Sequence, residues 1–116
     1  MRWIAWTALV ALLAACGGSA DVRFVVASEG GARATDVELQ VGDETRFFES
    51  VENGREIVER AVPEGTHVGL RATNGGDDGT LTIEAWQDDC ARGVQRCEGE
   101  GCTTFVEFTV RAACRN

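Results

Sequence analysis

The chain has 116 residues, with 19 acidic against 11 basic side chains and a formal net charge of -8. That length suits one domain with one core, too small to forgo covalent bracing easily. The acidic balance works against binding of nucleic acid or of an anionic surface.

The chain opens on a leader. Met1 and Arg2 make a short positive start, and Trp3 through Leu13 is an apolar run broken only by Thr7. The run is too short for a spanning helix, which needs about 20 apolar residues. With the small residues Ala14 and Ala15 after it, it fits a signal peptide. Leu13-Ala14-Ala15-Cys16 resembles the lipobox of bacterial lipoprotein precursors. The resemblance implies removal of residues 1–15 as the signal peptide and acylation of Cys16, first on its thiol and then usually on its new amino group. Membrane lipid would be the first partner, held by several chains rather than by the marginal grip of one. Gly17 follows Cys16 where an Asp would signal retention. In Gram-negative lipoproteins that favours the outer membrane, with the domain in the periplasm or at the surface. Residues 16–20 would then be the lipidated Cys and a flexible tether, and residues 21–116 the domain.

Within the domain the apolar residues recur with a period of two. Val22, Phe24 and Val26 mark a strand over Asp21–Ser28. Val37, Leu39 and Val41 alternate with Asp36, Glu38 and Gln40, which predicts a strand buried on one face. Arg46–Val51 is less regular, because Phe47 and Phe48 cannot both face one core, and it reads as a bulged or edge strand. Asn53-Gly54 then predicts a type I′ hairpin to a return strand over Arg55–Val62. Pro63-Glu64-Gly65 breaks the ladder. Val68, Leu70 and Ala72 mark the next strand, and Asn74–Gly79 is turn chemistry. Leu81, Ile83 and Ala85 face one way, Thr82, Glu84 and Trp86 the other, and Asp88-Asp89 ends that strand. Thr103–Ala112 is the last long strand, with Val106, Phe108 and Val110 on one face.

No window has helical spacing. The pattern predicts an all-β fold, a small antiparallel β-sandwich of seven to eight short strands with two C-terminal disulfides. Pro63-x-Gly65, the strand Val68–Ala72, a Gly-bearing turn and Leu81-Thr82-Ile83 together resemble the β-sandwich of the MmpS family. That resemblance implies the same small sandwich. It departs in its anchor, since that family carries a transmembrane segment where this chain has a lipobox.

Cys90, Cys97, Cys102 and Cys114 fall in the last 27 residues. In an exported domain four such Cys read as two bridges with three possible connectivities. Cys97 and Cys102 flank a four-residue loop, read as the tip of a hairpin between Val94–Cys97 and Cys102–Phe105. A straight strand would hold Cys102 and Cys114 roughly 35–40 Å apart. Cys97–Cys102 with Cys90–Cys114 is therefore the expected pairing, bracing a loop-like Cys90–Cys102 segment. The spacings are not those of zinc knuckles, and no metal or other cofactor is expected.

The sites that could carry chemistry are few. His67 is the only His, on the polar phase of a strand, and no motif places a nucleophile beside it. Asp77 and Asp78 could offer carboxylates to calcium, but the regular ligand spacing is missing. Glu49, Glu52, Glu56 and Glu59 read as a solvated face tempered by Arg46, Arg55 and Arg60. Trp86 and Phe105 both lie on the polar phase of their strands, and on adjacent strands they would form an aromatic patch suited to a protein partner. The expected function is a non-enzymatic envelope lipoprotein, an accessory or binding module on a membrane. The other class is a small exported enzyme or enzyme inhibitor, for which a pocket holding His67 with two carboxylates would speak.

Overall fold

The computed structural model describes residues 18–112. The leader, Cys16 and Cys114 lie outside them. Eight strands form in order: β1 (Ser19–Glu29), β2 (Ala34–Val41), β3 (Glu44–Val51), β4 (Arg55–Pro63), β5 (His67–Asn74), β6 (Thr80–Gln87), β7 (Cys90–Glu98) and β8 (Thr103–Thr109). They make two antiparallel four-stranded sheets, β4-β1-β6-β7 and β3-β2-β5-β8. The sheets pack face to face as a sandwich.

The alternating residues build its interior. Val22, Phe24 and Val26 of β1 and Leu81, Ile83 and Ala85 of β6 meet Val37 and Leu39 of β2, Val68, Leu70 and Ala72 of β5, and Val106 and Phe108 of β8, all buried. Phe24 and Phe108 bring their rings to 6.2 Å across the core. Each large apolar side chain buried in this way contributes about 1.5–3 kcal/mol. Ala34 and Val37 both face inward although they are three residues apart. A bulge resolves the parity: Asp36 takes φ +48, and the register to β5 shifts between Thr35 and Glu38.

Several expectations need correction. Ser19 and Ala20, expected in a flexible tether, belong to β1, opposite Pro63 and Val62. β3 and β4 do not form a hairpin; β3 pairs with β2 and β4 with β1, in opposite sheets. Asn53-Gly54 is a crossing between sheets. Only Gly54 of the two has positive φ, +82, whereas type I′ needs it at both. The crossing is pinned on β1: Gly54 N–H donates to the Val26 carbonyl at 2.7 Å, and Ser28 N–H to Asn53 Oδ1 at 2.8 Å.

The Cys90–Cys102 segment expected to be loop-like is mostly strand: Cys90–Glu98 is β7, paired with β6. It does not form a hairpin with β8, which pairs with β5. The Cys97–Cys102 bridge, with Cα atoms 5.8 Å apart, therefore ties the edge of one sheet to the edge of the other. Cys90 is buried and disulfide-bonded as well; its expected partner Cys114 is outside the described residues.

Asn74 holds the same end of the sandwich. It is 1% exposed and uses its whole amide. Its Oδ1 accepts from the N–H groups of Arg33 (3.0 Å) and Gly76 (2.8 Å), and its Nδ2 donates to the carbonyls of Asp78 (3.1 Å) and Gly99 (2.9 Å). Its backbone N–H donates to the Cys102 carbonyl and its carbonyl accepts from Gly101 N–H. Three connections, β1–β2, β5–β6 and β7–β8, are thus joined through one side chain. Gly79 permits their approach, since a Cβ there would lie 2.1 Å from the Glu29 carbonyl oxygen.

Candidate functional site

Trp86 and Phe105 do not meet. Trp86 is on β6 and Phe105 on β8, on the outward faces of opposite sheets. The aromatic patch expected between them is absent, because the phase of a strand shows which residues face out but not which sheet carries them.

Each aromatic residue has its own surroundings. Trp86 lies in a row with Val58, Arg23 and Ala91 across four strands, and the next row holds Glu56, Val25, Glu84 and Val94. The Arg23 guanidinium stacks 5.1 Å from the indole centroid and pairs with Glu56 at 3.1 Å. Val94 is 59% exposed beside it. A shallow depression of about 430 Å³ is lined here by Glu84, Trp86, Ala91, Arg92, Gly93 and Val94. The patch mixes Trp86, Val25, Val58 and Val94 with Arg23, Arg92 and two carboxylates, Glu56 and Glu84.

On the other sheet, Phe105 is 44% exposed and covers Gly69; a Cβ on Gly69 would lie 3.2 Å from the ring. An aromatic ring over a strand glycine shields bare backbone. Beside it Arg71 pairs with Glu38, and Glu38, Gln40, Gly69, Arg71 and Phe105 line a notch of about 110 Å³.

His67 stands on this face too. Its Nε2 lies 3.1 Å from Glu107 Oε2 and its Nδ1 3.4 Å from Thr109 Oγ1. Hydroxyl, imidazole and carboxylate in that order resemble a hydrolytic triad in composition. Here they are cross-strand neighbours on an open face, His67 opposite Thr109, and His67 does not line the adjacent notch. Acyl transfer also needs a water-excluding site with preorganised donors. Asp77 and Asp78 are exposed, and among the described residues no group of three or more His, Cys, Asp or Glu side chains is placed to hold a metal ion.

One partly exposed cation folded over the edge of the core went unnoticed in the sequence. Arg92 is the extra residue where the β6–β7 register shifts. It turns in over the Phe108 ring at 4.6 Å and donates to Gln87 Oε1 at 2.6 Å. Burial, and then the nearby Arg111 charge, lower its pKa from the usual arginine value. Gln87, itself buried, is held by Arg111 from both sides of the amide: Nε2 donates to the Arg111 carbonyl and Oε1 accepts its N–H. The cluster closes the end of the sandwich where β8 leaves it.

Compared with known families, characterised proteins and solved structures, the chain matches none.

Proposed function

We propose that the chain is a non-enzymatic envelope lipoprotein, an accessory or binding module held at a membrane through acylated Cys16. The observation that carries this reading is Leu13-Ala14-Ala15-Cys16 behind a short apolar run with a positive start. Gly17 after Cys16 supports the outer membrane as the destination. The start of β1 at Ser19 leaves only Gly17 and Gly18 between lipid attachment and sheet, a reach of about 10 Å. The sandwich then sits against the lipid surface, with its outward faces turned sideways and open to a neighbouring envelope protein. Trp86 with Val25, Val58, Val94 and the stacked Arg23 is the contact surface in this reading, and Phe105 is a cover for Gly69. The Cys90–Cys114 bridge belongs to the same proposal, as the link that fastens the end of the chain to β7. Replacing Cys16 by Ser in the full chain tests the anchor. The variant is expected to leave the membrane fraction. Retention there, with the signal segment removed, would contradict the proposal.

A further inference from the structure

We propose that β3 pairs antiparallel with β3 of a second copy, joining two four-stranded sheets into one of eight strands. The four sheet edges are unequal. β4 is interrupted: Ala61 has φ +55, its register to β1 shifts, and it ends in Pro63. β7 carries the Arg92 irregularity and lies against β8, where a Cβ on Gly93 would be 3.3 Å from Val106. The Cys97–Cys102 bridge closes those two edges on each other. Bulges, inward charges, Pro and cover are the devices by which sheet edges avoid new partners.

β3 has no proline and no register shift, and its protection is two charges on the inward phase, Glu44 opposite Val41 and Arg46 opposite Leu39. It keeps one register with β2 over its eight residues and, among the described residues, pairs with no other strand. Arg46 is drawn to Glu59 of β4. Phe47 is 74% exposed on the outward face, the highest exposure among the large apolar side chains described.

The sequence of β3 selects its own copy as the partner. When a two-fold axis continues a sheet, directly opposed residues share a face. Centred on Phe47, the pairing sets Phe47 against Phe47, Arg46 against Phe48, Thr45 against Glu49 and Glu44 against Ser50. No like charges oppose, and Arg46 gains an aromatic neighbour. Centred on Arg46, two guanidinium groups would face each other. Centred on Phe48, Phe47 would face the Glu49 carboxylate. In the Phe47 register the row Phe105, Arg71, Glu38, Phe47 continues through the axis into its own mirror order.

The test is a cysteine at the axis. Facing residues of an antiparallel pair hold their Cα atoms within disulfide range, so the full chain carrying Phe47→Cys should give at least about tenfold more disulfide-linked dimer than one carrying Phe105→Cys. Both positions are exposed, so exposure alone would give similar yields, and that result would overturn the pairing. Light scattering of the detergent-extracted wild-type chain should report two copies, and Phe47→Arg should reduce this to one. A monomeric wild type, or a dimer that survives Phe47→Arg, would equally overturn it.

Discussion

Asn74 and Thr104 are both buried polar residues, and they lead to opposite expectations. Asn74 satisfies two backbone donors and two backbone acceptors from three connections. Removing its amide strands buried groups that water cannot readily reach. Asn74→Ala is expected to cost about 3 kcal/mol of unfolding free energy, read from urea unfolding with disulfides intact. Thr104 is buried on β8, and among the described residues its Oγ1 has no hydrogen-bond partner. Its hydroxyl was desolvated without return, so Thr104→Val should stabilise the domain by about 1 kcal/mol in the same measurement. An unchanged midpoint for both would mean that neither site is dry. Neither role was legible in the sequence. Asn74 stood at the head of a Gly-rich loop and looked like ordinary turn chemistry, because turn propensity says nothing of what the side chain meets.

The phase of the strands was legible, and their partners were not. Val22-x-Phe24-x-Val26 and Leu81-x-Ile83-x-Ala85 each declare a dry face, and both faces are buried as the alternation predicts. Which sheet a strand joins depends on long-range pairing, which alternation does not encode. Hence Asn53-Gly54 suggested a hairpin where the chain crosses between sheets, and Trp86 and Phe105 suggested a patch where a whole sandwich separates them. Only the end of β7, Val94–Cys97, was read as strand, and the rest escaped notice for a local reason. Its inward positions include Arg92 and Gly93, and its apolar Val94 points outward. The bridge at its end therefore changes meaning. Cys97–Cys102 was expected to brace a hairpin tip, and it joins two sheets instead. Closing so short a loop should still contribute about 2 kcal/mol. The double variant Cys97→Ala with Cys102→Ala is expected to lose about that much in urea unfolding while keeping its far-UV β signature. Hydrogen exchange should quicken at both Glu98–Cys102 and the Asn74–Gly79 loop bonded to it. Faster exchange at Glu98–Cys102 alone would return the bridge to a purely local role.

Across the whole molecule the two ends of the sandwich differ. The chain enters β1 beside the turn after β4, where Glu64 N–H donates to the Gly18 carbonyl at 3.2 Å, and Gly65 N–H donates to the Val110 carbonyl at 2.9 Å. Entry and exit therefore share one end. The other end holds Asn74 and the Cys97–Cys102 bridge. The eleven residues of β1 set these ends roughly 35 Å apart. With Cys16 in a membrane, as proposed, the end that holds Asn74 and the Cys97–Cys102 bridge lies farther from the lipid, and the short link confines the domain to the lipid surface. The leader reading rests on order alone, a charge, an apolar run and small residues before a Cys, and it falls outside the residues the structure describes. The rows on the sheet faces were the least legible, because each is assembled from four strands. The measurement that bears most directly on the account is the intact mass of the chain extracted from membranes. The account predicts a chain that begins at Cys16 and carries acyl groups on that residue. A soluble, unacylated chain beginning at Gly17 or Asp21 would contradict it.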